Sequence, residues 1–162
     1  MQQPATDASE YEPRLVSAQP STTAVLRATV EQKDLANFFD HSFGMLAPAI
    51  AAQGANITGP AFGLYHGNFE DPLDIEVGFP VDRQVEQKDD VAASTLPAGR
   101  VARMTHAGAF DGLPASWNRL HRWVEEQGLT ARSFQWEVYV TEPSPDMNPD
   151  DLRVELNVPL LD

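Results

Sequence analysis

The sequence predicts an α+β domain built as a pseudo-twofold tandem repeat of β-α-β-β units, with antiparallel sheets, one helix per repeat and a central ligand cleft. Three observations carry this prediction. Two segments have apolar residues at helical spacing and each is followed by a glycine: Leu35, Phe38, Phe39, Phe43, Leu46 and Ile50 before Gly54, and Leu113, Trp117, Leu120 and Val124 before Gly128. Each is preceded by one run of strand-forming residues and followed by two. The halves also match residue by residue. Val25-Leu26-Arg27-Ala28-Thr29 matches Val101-Ala102-Arg103-Met104-Thr105, Gln53-Gly54 matches Gln127-Gly128, Phe62-Gly63-Leu64-Tyr65 matches Trp136-Glu137-Val138-Tyr139, and the segment Ile75 to Val81 matches Val154 to Leu160, at offsets of 74 to 79 residues.

Residues 1–12 are polar and aperiodic and are expected to be a flexible tail; the domain is placed at 13–162, with repeat one at about 14–81 and repeat two at about 98–160. STTAVLRATV (21–30) is rich in β-branched residues and is the first strand. The helix from Leu35 contains Pro48, which removes a backbone bond and should kink or shorten its last turns. Strands follow within 61–67 and 73–81, and the polar run DRQVEQKDDVAAS (82–94) reads as a loop or edge segment that leads into the second half. There a strand spans Arg100 to His106. The second helix has Asp111 as candidate N-cap and Pro114 in its first turn, and strands at 133–142 and 151–160 close the chain.

Side chains alternate across a strand, so the faces can be assigned. The apolar set Trp136, Val138 and Val140 is expected to meet the second helix, as Phe62 and Leu64 meet the first. Ile75, Val77 and Phe79, like Val154, Leu156 and Val158, complete the helix-facing layers. The opposite faces then collect Tyr65, Tyr139, Glu76, Glu137, Glu155 and Asn157, with Arg27 and Arg103 available to balance the acids. Glu76 and Glu155 also fit an ordinary wet sheet face. Glu137 stands in WEVYV, a strongly apolar strand, where a carboxylate needs a cation, a hydrogen-bond donor or a proton.

Eleven Lys and Arg against 24 Asp and Glu give a formal net charge of −13. A chain of this charge repels phosphate backbones and anionic lipid, so neither nucleic acid nor membrane is an expected partner. There is no cysteine, hence no disulfide, thiolate ligand or thiol nucleophile. No apolar run reaches the roughly 20 residues of a spanning helix, and the N-terminus lacks a signal peptide's pattern, so a cytoplasmic location is expected. No nucleotide-binding glycine loop, nucleophile elbow or zinc-protease motif occurs. The four histidines, His41, His66, His106 and His121, have no ligand spacing, so neither metal nor cofactor is expected.

The tandem β-α-β-β order, together with GPAFGLYHG, DIEVGFPV, LPAGRVARMTHAGAFDGL, WNRLHRWVEEQGL and SFQWEVYVTEP, resembles the GyrI-like small-molecule-binding domain, also the effector-binding domain of AraC-type and MerR-type regulators. The resemblance covers about residues 14 to 160. It implies a cleft that takes up hydrophobic, often cationic molecules, and it carries the family's buried glutamate onto Glu137. Asn157 departs from the aromatic often found in the last strand, and Pro48 is unexpected in the first helix. The resemblance also implies a stand-alone member, with no helix-turn-helix attached.

Three functions are compatible with these readings. In a binding protein, Glu137 pairs with a ligand cation while Tyr65, Tyr139 and Phe110 stack on it, and Glu76, Glu155 and Asn157 contribute to the site. In a hydrolase of strained cyclopropane-type toxins, Glu137 works as general acid or base with Tyr139 beside it. In a partner-binding modulator such as a gyrase inhibitor, the acidic surface engages a basic protein.

Overall fold

The computed structural model describes residues 11–67, 72–141 and 146–161, so most of the expected tail lies outside the described residues. In chain order the elements are β1 (Arg14–Ala18), β2 (Ser21–Val30), α1 (Leu35–Ala52), β3 (Phe62–His66), β4 (Leu73–Pro80), β5 (Val91–Leu96), β6 (Gly99–Ala107), α2 (Leu113–Glu126), β7 (Phe134–Tyr139) and β8 (Arg153–Pro159). They fall into two compact units, one of residues 19–98 and one combining residues up to 18 with those from 99 onward.

In the unit of residues 19–98 the strands run antiparallel in the order β3-β4-β2-β5. α1 lies on one face, where Leu46 and Ile50 pack with Ala24, Leu26, Ile75 and Val77. Pro48 does not shorten the helix, which continues to Ala52. It ends as the sequence predicts, with Gly54 at φ 74° and the Ala55 amide donating back to the Ile50 carbonyl at 3.2 Å. Gly78 is required by a close approach: a Cβ there would stand 2.2 Å from the Ala24 carbonyl oxygen and 2.7 Å from Val25 Cγ1.

The other unit repeats the plan in the order β1-β6-β8-β7. α2 presents Trp117, Leu120 and Val124 to Ala102, Met104, Val154, Leu156 and Val158. Gly128 ends it at φ 72°, and the Leu129 amide returns to the Val124 carbonyl at 3.1 Å. Asp111 does not cap this helix. A 3-10 turn over Phe110–Gly112 intervenes, Gly112 takes the cap position, and no side chain bonds there.

Each unit therefore adds one edge strand to β-α-β-β. The segment 82–94, expected as a loop or edge segment, is both: a loop through its charged part and, from Val91, the edge strand β5 paired with β2. β1 precedes β2 in sequence yet pairs with β6. Among the described residues no helix is long and apolar enough to cross a membrane.

Candidate functional site

The phase of β3 and β7 is opposite to the one expected from the sequence. Glu137 lies opposite Leu156 and Tyr139 opposite Val154 in the β7–β8 ladder. Directly paired residues of an antiparallel ladder share a face, and Leu156 and Val154 are core residues beneath α2. Glu137 and Tyr139 thus point toward the helix, while Trp136 and Val138 share the opposite face with Asn157 and Glu155. The same holds in the other unit. Tyr65 pairs with Ile75 and belongs to the core beneath α1, whereas Phe62 and Leu64 pair with Gly78 and Glu76 on the other face. The physical reason is that both faces are buried: Phe62, Leu64 and Trp136 are buried although they lie outside the two cores that the helices cover. Apolarity alone does not then identify the helix-facing set.

This phase builds a buried carboxylate site. Glu137 is 4% exposed. Trp117, from the apolar stripe of α2, donates its Nε1–H to Glu137 Oε2 at 3.1 Å, and the Tyr139 hydroxyl donates to Glu137 Oε1 at 2.8 Å. Each carboxylate oxygen thus receives a ring-borne donor, which is how an anion can be held among hydrocarbon. Phe110, 42% exposed, meets Tyr139 edge-on with ring centroids 6.5 Å apart. His121 stacks on Trp117 at 5.9 Å, and its Nε2 lies 2.6 Å from Gln135 Oε1. Gln135, Glu137 and Tyr139, at alternate positions of β7, therefore all carry polar atoms on the side of α2.

The other candidate residues are placed elsewhere. Asn157 is fully buried on the face away from α2; Arg103 Nε donates to its Oδ1 at 2.7 Å and lies 3.4 Å from Glu155 Oε1, to which Asn157 Nδ2 donates at 3.3 Å. Glu155 and Asn157 thus form a network with Arg103, as the expected balance of charge requires, but on the opposite side of the sheet from Glu137. Glu76, in the unit of residues 19–98, accepts from His66 Nε2 at 2.6 Å. Beside it Arg27 bonds Asp74 in bidentate fashion at 3.0 and 2.8 Å. This pairing holds the Asp74 carboxyl below its ordinary value, outweighing the opposing effect of burial. His106 is structural: Nε2 donates to the Ala109 carbonyl at 2.9 Å, and Nδ1 accepts from the Ser116 hydroxyl at 2.7 Å.

Trp117 is the residue that sequence reasoning treated only as core packing. Two unmet needs pointed to it: a buried indole N–H needs an acceptor, and a buried glutamate needs donors.

The family model of the GyrI-like small molecule binding domain matches residues 11–161. The chain belongs to this family. Its fold is similar to that of EcmrR in a DNA complex (TM-score 0.80, 19% identity), where it covers 94% of this chain and 58% of EcmrR; this chain thus spans little more than half of that relative. The isolated EcmrR C-terminal domain is similar over 93% of this chain and 98% of its own length (TM-score 0.74, 19% identity). SAV2435 bound to tetraphenylphosphonium matches with TM-score 0.67 and 17% identity over 93% of this chain and 94% of its own. A hydrolase from Listeria innocua matches with TM-score 0.64 and 14% identity over 94% and 93%. No curated protein matches the chain.

Proposed function

We propose that this GyrI-like chain binds an apolar organic cation, with the cationic centre paired to Glu137 and aryl or alkyl groups against the neighbouring rings. The observation that carries the reading is the buried Glu137 carboxylate held by Trp117 and Tyr139. A fixed anion in an aromatic, low-dielectric setting attracts a weakly hydrated cation more than a strongly hydrated one, because the organic cation gives up less solvation on entering. Ring faces add cation–π attraction of about 0.5–2 kcal/mol each. SAV2435, a relative in fold, is bound to a lipophilic cation of this class. The net charge of −13 further favours cationic over anionic ligands.

Glu137→Gln is the test. The amide can still accept from Trp117 through its oxygen and donate to the Tyr139 oxygen, so the variant keeps its packing and loses the charge. At a separation of ~5 Å and an effective dielectric constant of ~20, the lost attraction is about 3 kcal/mol, on the order of 100-fold in affinity. Calorimetric titration with methyltriphenylphosphonium should show that loss, and titration with neutral triphenylphosphine oxide should change less than about threefold. Equal changes for the two compounds would refute the charge-reading role.

A further inference from the structure

We propose that Gln135 is a second ligand contact of the Glu137 site. Held by His121, it selects apolar organic cations that also carry a hydrogen-bond acceptor, such as an aryl ketone oxygen, about 6–7 Å from the charged centre. The inference rests on the reading of Glu137 as the partner of the cation, and adds what the uncharged end of the ligand must offer.

Gln135 stands two residues before Glu137 on β7, so both side chains leave the strand on the side of α2, from Cα atoms about 6–7 Å apart. Gln135 is 6% exposed. Its Oε1 lies 2.6 Å from His121 Nε2, and because an amide oxygen only accepts, that ring nitrogen carries the proton. The oxygen is thereby occupied and the amide oriented. Its other end is not occupied: among the described residues no group accepts from Gln135 Nε2. Nor is this nitrogen sealed off. The described side-chain atoms that are both fully enclosed and unbonded are Thr23 Oγ1 and Ser42 Oγ, so Gln135 Nε2 keeps some surface that a ligand atom can reach. An amide N–H enclosed without an acceptor is unfavourable, and a ligand oxygen placed against it restores the missing bond.

His121 is fixed by the same site. Its ring stacks on Trp117 at 5.9 Å with 29° between the planes, and Trp117 donates to Glu137. A run of contacts from Gln135 through His121 and Trp117 to Glu137 thus sets the amide relative to the carboxylate, and His121 acts as a positioning residue. The other repeat shows that the fold does not need the pair. At the offset that places Gln53-Gly54 on Gln127-Gly128, His121 falls on Ala47, Gln135 on Ala61 and Glu137 on Gly63. The repeat without the carboxylate is also without the amide and its imidazole.

The test uses the full chain and three aryl compounds of nearly one shape. These are para-acetylphenyl-trimethylammonium, with charge and acceptor; para-isopropylphenyl-trimethylammonium, with charge alone; and para-tert-butylacetophenone, with acceptor alone. In the first, bond lengths place the ketone oxygen about 6–7 Å from the nitrogen. Calorimetric titration should show the acetyl cation binding about fivefold more tightly than the isopropyl cation, the worth of one hydrogen bond. Gln135→Met keeps the length of the side chain without the amide; it should fold as wild type does by circular dichroism and bring the two cations within about twofold of each other. His121→Phe, at a half-buried position, keeps a ring against Trp117 but releases the amide, and should likewise reduce the preference to about twofold or less. Glu137→Gln should weaken both cations and leave their ratio, which separates the two readings. The proposal is overturned if wild type binds the two cations equally, or if either variant leaves the fivefold preference in place; the Glu137 reading then stands so long as the acetyl cation binds more tightly than the neutral ketone. A ketone bound as tightly as the acetyl cation, or no binding of any of the three, overturns the Glu137 reading and this proposal with it.

Discussion

Replacing Trp117 with phenylalanine tests whether the indole N–H stabilises the fold through the charge on Glu137. The variant keeps a ring on the apolar stripe of α2 but removes the donor 3.1 Å from Glu137 Oε2. A hydrogen bond to a charged, buried acceptor contributes about 1.5–3 kcal/mol, and the smaller ring forfeits roughly 1 kcal/mol of apolar burial. The expected cost is therefore about 3 kcal/mol, or about 6–12 °C in Tm for a chain of this size. On a Glu137→Gln background the bond being removed is a neutral one of about 1 kcal/mol. The same substitution should then cost about 1 kcal/mol less. Urea unfolding of wild type, both single variants and the double variant yields this coupling, with Trp123 and Trp136 left to report fluorescence. A coupling below about 0.5 kcal/mol, the size expected for independent sites, would refute the reasoning.

Two further outcomes follow from the unit of residues 19–98. Asp74, its pKa lowered mainly by the Arg27 hydrogen bonds, contributes stability that is present above the unfolded aspartate value of about 3.9 and is lost as pH falls through the lower folded value. Both partners are substantially exposed, so the effect is small; urea midpoints of wild type and Asp74→Asn should differ at pH 6 and converge near pH 2, and a gap that persists in acid would show that charge is not its cause. Gly78→Ala drives a methyl group into the Ala24 carbonyl and should cost about 3 kcal/mol or more by urea unfolding, and a near-neutral result would mean that the β2–β4 ladder yields at this point.

Element order was legible because helix period, glycine caps and the internal match all agree: β2 runs from Ser21 to Val30, and Gly54 and Gly128 end their helices at positive φ. Strand phase was legible only where one face is polar. β4 and β8 alternate Glu76 and Glu155 with aliphatic residues, and their phases are as expected. β3 and β7 are buried on both faces, so Phe62 and Trp136 gave no sense of which side the helix takes. The segment that holds β5 was legible as a loop or edge segment but its strand bounds were not, because small residues following a charged run carry little strand signal. For the same reasons Glu137 and Tyr139 were identified as candidates while Trp117, their partner across the helix interface, was not.

The internal duplication offers a control on what Glu137 is for. At the offset that aligns Gln53-Gly54 with Gln127-Gly128, the trio Trp117, Glu137 and Tyr139 corresponds to Phe43, Gly63 and Tyr65. Packing positions agree between the copies: Leu46 matches Leu120 and Ile50 matches Val124, all buried beneath or within the helices. Both tyrosines lie on the helix side of their strands. The polar members differ. Phe43 has no N–H to give and packs against Phe39 and Phe79 at 5.8 and 5.5 Å, and Gly63 offers no acceptor. One unit thus completes the same β-α-β-β plan with hydrocarbon where the other holds a carboxylate and its indole donor. Burying that carboxylate costs desolvation, which its hydrogen bonds offset only in part. Since the fold forms without it in one copy, the fold is not what requires it in the other. The proposed pairing with a ligand cation supplies a reason for Glu137 that the fold does not.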